Sequence, residues 1–136
     1  MSKFVATDYA ISINGTDFST SLAAATLDIT VEEQDITAFG ATARERIGGL
    51  QDASISLDFH QDFGASAIDA TLFPLLGTNA TVTIAPTSDA VSATNPEYTA
   101  VCLVTQYQPF ASSVGDLATL SVSWPVTGAV TRGTGA

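Results

Sequence analysis

A mainly β fold, a β-sandwich or barrel with one short flanking α-helix, is what this sequence predicts, on three observations. Apolar and polar residues alternate with period two in several separate stretches, the signature of strands with one buried and one wet face. A single segment carries helical spacing instead. Ala, Ser and Thr are abundant, and Thr favours strands.

The elements follow in order. A short strand near Tyr9 to Ile13 ends at Asn14-Gly15, a common hairpin dipeptide. Leu27, Ile29 and Val31 alternate with Asp28, Thr30 and Glu32, and Ile55, Leu57 and Phe59 alternate with Ser54, Ser56, Asp58 and His60. Between these two strands lies the polar stretch Glu33 to Gly49, EQDITAFGATARERIGG, read as one long loop. Connections in compact domains are usually about 4–6 residues, and structureless ones beyond roughly 12–15 are uncommon unless functional or disordered. Ser66 and Asp69 have cap-and-acid spacing, and Ile68, Leu72, Leu75 and Leu76 follow at helical spacing, so one helix starts here. Pro74 ends or distorts it near Phe73, and Gly77 closes the element. Thr81 to Ala85 is a further strand, and Tyr98 to Tyr107, apolar on both faces in its middle, is expected to be central. Leu120, Val122 and Trp124 alternate with Thr119, Ser121 and Ser123 in the last strand, with Trp124-Pro125 read as core and strand end. Ala85 to Pro96 and Gln108 to Asp116 are loops, and the small, polar end of the chain, from about residue 128 to 136, is expected to be a flexible tail.

At 136 residues the chain is expected to form a single domain, 1–136, around one core. Hydrophobic residues make up 46% and charged residues 13%, a folded composition. With 14 Asp and Glu against 4 Lys and Arg, the net charge is -10. Phosphate-based nucleic-acid binding needs cations to displace counterions, and anionic membrane surfaces likewise attract basic segments, so both partners are disfavoured. The lone Cys102 excludes an internal disulfide framework and Cys-rich zinc sites, and its VCLV setting reads as a small buried hydrophobe. The start of the chain lacks a signal-peptide core and no segment approaches a membrane span, so folding in a reducing cytoplasm and no membrane insertion are expected.

Catalytic constellations are nearly absent. The single histidine, His60, has no GxSxG elbow to serve, and no Gly-rich phosphate loop links a strand to a helix. Asp58, His60 and Asp62 share a face if the strand stays regular, yet no fourth metal ligand is indicated and a solvated polar face is the favoured reading. Glu32 and Glu33 point to opposite faces of a strand, a poor acid–base pair. No enzymatic activity, cofactor or metal is therefore expected.

The loop has a different character. Arg44 and Arg46 are half of the chain's cations. Two readings stand: they are solvated charges or local partners of Glu45 and Asp35, or they anchor the loop on the acidic surface of another copy.

The order and spacing of several phrases resemble the phage tail tube protein (major tail protein) of long, flexible-tailed phages. These are DITAFGATARERIGGLQDASISLDF, LFPLLG, TVTIAP, NPEYTAVCLVTQYQPF and GDLATLSVSWPVTGAVTR. The resemblance covers about Leu27 to Arg132. It implies a tail-tube-like β-sandwich forming rings, usually of six, stacked into a hollow tube, with inner sheets joined into one barrel around the lumen. The long loop and the termini then reach adjacent subunits, which makes Asp35, Phe39, Arg44, Glu45 and Arg46 the expected subunit-interface residues. Ser54, Ser56, Asp58 and His60 become the expected lumen face, whose carboxylates and hydroxyls let DNA slide without binding. Other copies, a tape measure and a tail terminator are the implied partners, in a virion tail assembled in the host cytoplasm. No separate surface-displayed domain after the tail-tube core, of the kind many members of that family carry, is expected. Two alternatives remain: a small β-sandwich module for carbohydrate or a cell surface, with Tyr107, Phe110 and Trp124 as candidate aromatics, or a head–tail joining or tail-terminating protein.

Overall fold

Two antiparallel sheets face each other across one hydrophobic core. The computed structural model of the protein describes residues 5, 8–65 and 67–134. In chain order the strands are β1 Ala10–Ile13, β2 Thr16–Asp17, β3 Leu22–Asp35, β4 Arg46–His60, β5 Asn79–Ala85, β6 Glu97–Leu103, β7 Thr119–Pro125 and β8 Thr131–Gly133. One sheet has the order β2-β1-β5-β6-β8 and the other β3-β4-β7. The helix α1, Ile68–Leu72, buries Ile68 and Leu72 and runs into a 3₁₀ turn at Phe73–Leu75, where Pro74 cannot continue the α-helical ladder.

Alternation puts the core where the sequence places it in β4 and β7. Ile55, Leu57, Phe59, Leu120, Val122 and Trp124 are all buried, facing Ile11, Ile13, Val82 and Cys102 of the other sheet. The Trp124 indole N–H donates to the Gln106 carbonyl at 2.9 Å, so the ring buries its apolar area without stranding its polar edge. Burial pushes the Cys102 thiol up to about 11, which leaves it neutral and inert. Trp124→Ala is expected to cost about 3–5 kcal/mol by cavity formation and Trp124→Phe distinctly less; urea denaturation midpoints measure both. The β1–β2 hairpin turns at Asn14 (φ 51) and Gly15 (φ 86), the left-handed pair that a two-residue turn of this hand requires.

Four sequence expectations need correction. The stretch 33–49 is mostly strand: Glu33 pairs with Gly48, Gln34 with Ile47 and Asp35 with Arg46, so the connection shrinks to residues 36–45. A ribbon wet on both faces has no alternation to read, and this one is exposed throughout. The apolar row of β3 is also less buried than its pattern implies, with Leu27 half-buried, Ile29 39% exposed and Val31 56% exposed. Here β3 and β4 run on past the end of the β4–β7 pairing at Ser54. The strand read as Tyr98 to Tyr107 stops at Leu103; it is central in its sheet, but Val101 and Leu103 stay partly open to solvent. The expected tail contains β8, which pairs with β6 from Thr99 to Glu97, because that edge of β6 otherwise leaves ladder groups unpaired. Ser66, read as the helix cap, lies outside the described residues, as do 135 and 136.

Candidate assembly surfaces

Three surfaces stand out on this fold: a projecting arm, a small-residue polar sheet face, and an aromatic pair at the far end of β4. The arm is the outer half of the β3–β4 hairpin. Its tip is closed by short-range bonds. The Asp35 carboxylate accepts the Thr37 amide and the Arg44 guanidinium, each at 2.8 Å. Thr37 Oγ1 accepts the Glu45 amide at 2.8 Å, and the Ile36 amide donates to the Glu45 carbonyl at 2.9 Å. Hydrogen bonding from Thr37, with a smaller contribution from Arg44, holds Asp35 below the usual carboxylate range.

The structure thus brings Asp35, Arg44 and Glu45 together at the tip. Arg46 pairs instead with Glu33 at 3.4 Å, a partner the sequence reading did not choose. Both ion pairs are largely exposed, so solvent screens them and each shapes the tip only lightly. Phe39 makes the arm unusual: it is fully exposed, beside Gly40 in the left-handed region (φ 91). Ile36, Ile47 and Leu50 are exposed too, and the sequence reading missed them. Their signal was present, as apolar residues inside an otherwise polar stretch.

The polar face belongs to the β3-β4-β7 sheet. Ser54, Ser56, Asp58 and His60 lie opposite the buried Ile55, Leu57 and Phe59. Register sets Asp28 and Pro125 beside Ser54, Thr26 and Ser123 beside Ser56, and Ala24 and Ser121 beside Asp58. Ser56 and Ser123 hydroxyls meet at 3.4 Å across the sheet. The residues of this face are small and polar, with carboxylates and no Lys or Arg among them. Asp62 leaves the face: the strand ends at His60, and the Asp62 carboxylate turns back to accept the Gly64 amide at 2.8 Å. Among the described residues no group of three or more His, Cys, Asp or Glu side chains is arranged to hold a metal ion.

Beyond His60, Phe63 and Phe110 stack with ring centroids 5.7 Å apart. Gln61 braces them, donating to the Pro109 carbonyl at 2.9 Å and to the Tyr107 hydroxyl at 3.2 Å. Tyr107 in turn donates to Asp69 of α1 at 2.7 Å; burial and that carboxylate push its hydroxyl up to about 12. Sequence reading singled out Phe110 and missed Phe63, since nothing local links positions so far apart.

No protein-family model matches the chain, and no curated protein matches it. Solved structures do. A chain of the structure described as "Virion of native gene transfer agent (GTA) particle" superposes with a TM-score of 0.72 at 17% identity, over 92% of this chain and 95% of that one. A chain of the "Tail of empty GTA particle computed with helical refinement, C6 symmetry" superposes with a TM-score of 0.68 at 17% identity, over 90% and 92%. The protein therefore has the fold found in the virion and the sixfold-symmetric tail of that particle, in accord with the tail tube resemblance of its sequence.

Proposed function

We propose that this chain is a structural virion protein that assembles into rings and that the rings stack into a tail tube, the conduit for viral DNA during ejection. The observation that carries this reading is the β3-β4-β7 sheet: a core-packed face, an opposite face of small polar and acidic residues, and a long strand at its open edge. An edge strand of 14 residues that pairs on one side only, among the described residues, invites another strand. Pairing β3 of one copy with β7 of the next closes such sheets into a barrel. The face bearing Ser54, Ser56, Asp58 and His60 then lines a water-filled bore, where carboxylates repel phosphate and no base-reading contact is needed. The sixfold symmetry of the similar tail supports a hexameric ring. On this reading the protein works in the virion tail, after assembly in the host cytoplasm, beside a tape measure and a tail terminator, and performs no catalysis.

Of the three aromatics the carbohydrate-module alternative relied on, only Phe110 stays exposed, stacked on Phe63. Trp124 is fully buried, and the Tyr107 hydroxyl is committed to Asp69. Electron micrographs of the purified protein at high concentration are expected to show hollow tubes with a regular ring repeat. A chain that stays monomeric at every concentration on sizing columns overturns the tube assignment, and isolated rings that never stack favour a joining or terminating role.

A further inference from the structure

The two ends of β4 carry unlike surfaces that complement each other. At one end is the arm tip; at the other, past His60, is the Phe63–Phe110 pair. Strand rise separates the ends of β4 by roughly 45 Å, so both surfaces cannot meet within one copy. The aromatic pair remains 56% and 84% exposed although its loops are braced through Gln61, Tyr107 and Asp69. Braced phenyl rings standing in water are a ready-made apolar seat.

Charge sorts the same way. The entire stretch from Gln61 to Ala118 contains no Lys or Arg, while Asp62 and Asp116 lie close in sequence to the two rings. The arm tip offers the exposed Phe39 and Arg44, whose side chain is still 70% exposed beside Asp35. A guanidinium has five N–H donors and stacks on phenyl faces, so Arg44 can keep Asp35 and still engage a second carboxylate or a ring. Unlike patches at opposite ends of one chain make a heterologous contact, which repeats along an axis instead of closing on itself as a dimer.

We propose that Phe39 and Arg44 at the arm tip of one copy seat on the Phe63–Phe110 pair of a second copy in the adjoining ring. The proposal rests on the tube reading and names the contact that stacks the rings and gives the tube its polarity.

Cysteines placed next to the two surfaces, Ala38→Cys and Ala111→Cys in one chain, leave all the proposed contact residues intact. Treated with a short bis-maleimide, intact tubes of this variant are expected to give a covalent ladder running past six copies, whereas either single variant stops at pairs. The wild-type chain, whose only thiol is buried, gives no products. Tubes that form but do not cross-link overturn the contact alone, as do products that stop at a closed set of six, which place the arm within its own ring. As an independent arm, Phe63→Ser with Phe110→Ser is expected to raise the protein concentration needed for tubes at least about tenfold, with an unchanged denaturation midpoint. Tubes at the wild-type concentration overturn the proposal. If that variant fails to fold, the cross-link decides. Failure of the wild-type chain to polymerise at all removes the tube reading, and this contact with it.

Discussion

A chain lacking residues 33–49, with Glu32→Asn and Leu50→Gly forming a tight turn between the paired residues Val31 and Gln51, is expected to fold normally and form no tubes. The reason lies in what the arm does and does not touch. From residue 28 to 52 it is exposed on both faces, and the buried core draws nothing from it nearer than Ala53. Removing it therefore takes away little of the stability of the sandwich, and the midpoint of thermal unfolding is expected to move by only a few degrees. Assembly is a different matter. Each apolar side chain taken from exposed to fully buried contributes about 1.5–3 kcal/mol. Ile36, Phe39, Ile47 and Leu50 together thus offer on the order of 5–10 kcal/mol when a neighbour covers them. Association costs about 4–15 kcal/mol in lost freedom, so a contribution of that size decides whether rings stack. Light scattering and negative-stain micrographs measure the outcome. Ordinary tubes from the shortened chain would remove the arm from the assembly mechanism.

Asp58→Lys is expected to leave tubes of normal appearance that eject DNA poorly at low salt. Asp58 sits on the polar face between Ala24 and Ser121, and the neighbours that hold the strand in the core, Leu57 and Phe59, are untouched. The substitution changes the local charge by two units in every copy. If this face meets the lumen, each ring then presents cations to the passing phosphates, and stacked rings repeat the attraction along the whole bore. Surface charges in the channel are screened over about 8 Å at physiological ionic strength, so added salt restores ejection in part. Normal ejection by Asp58→Lys particles at low salt, or a label at position 58 that antibodies reach from outside intact tubes, assigns this face to the exterior instead.

Residues with one environment on each side were the easiest to read. In β4, Ile55, Leu57 and Phe59 sit against the core while Ser56 and Asp58 stay wet, so the alternation in the chain is the alternation of the fold. The helix stop at Phe73 was equally legible, because Pro74 carries its constraint in its own ring. The arm was not. Its residues pair as strands because the hairpin begun in the body continues outward, a cause outside the arm, and with both faces wet the sequence left no period to detect. β8 escaped notice for a related reason: Thr131, Arg132 and Gly133 have no strand-like pattern and become a strand by pairing with the edge of β6.

By itself, then, the chain determined its class, its core strands and the helix at Ile68–Leu72, since local chemistry and period-two patterning are properties of neighbours along the backbone. Tertiary structure alone decided which apolar residues stay uncovered, that Arg46 holds Glu33, and that Phe63 meets Phe110. Those depend on where sheets end and which loops converge, and no spacing between residues 63 and 110 encodes a contact made only when Gln61 and Tyr107 draw two distant loops together.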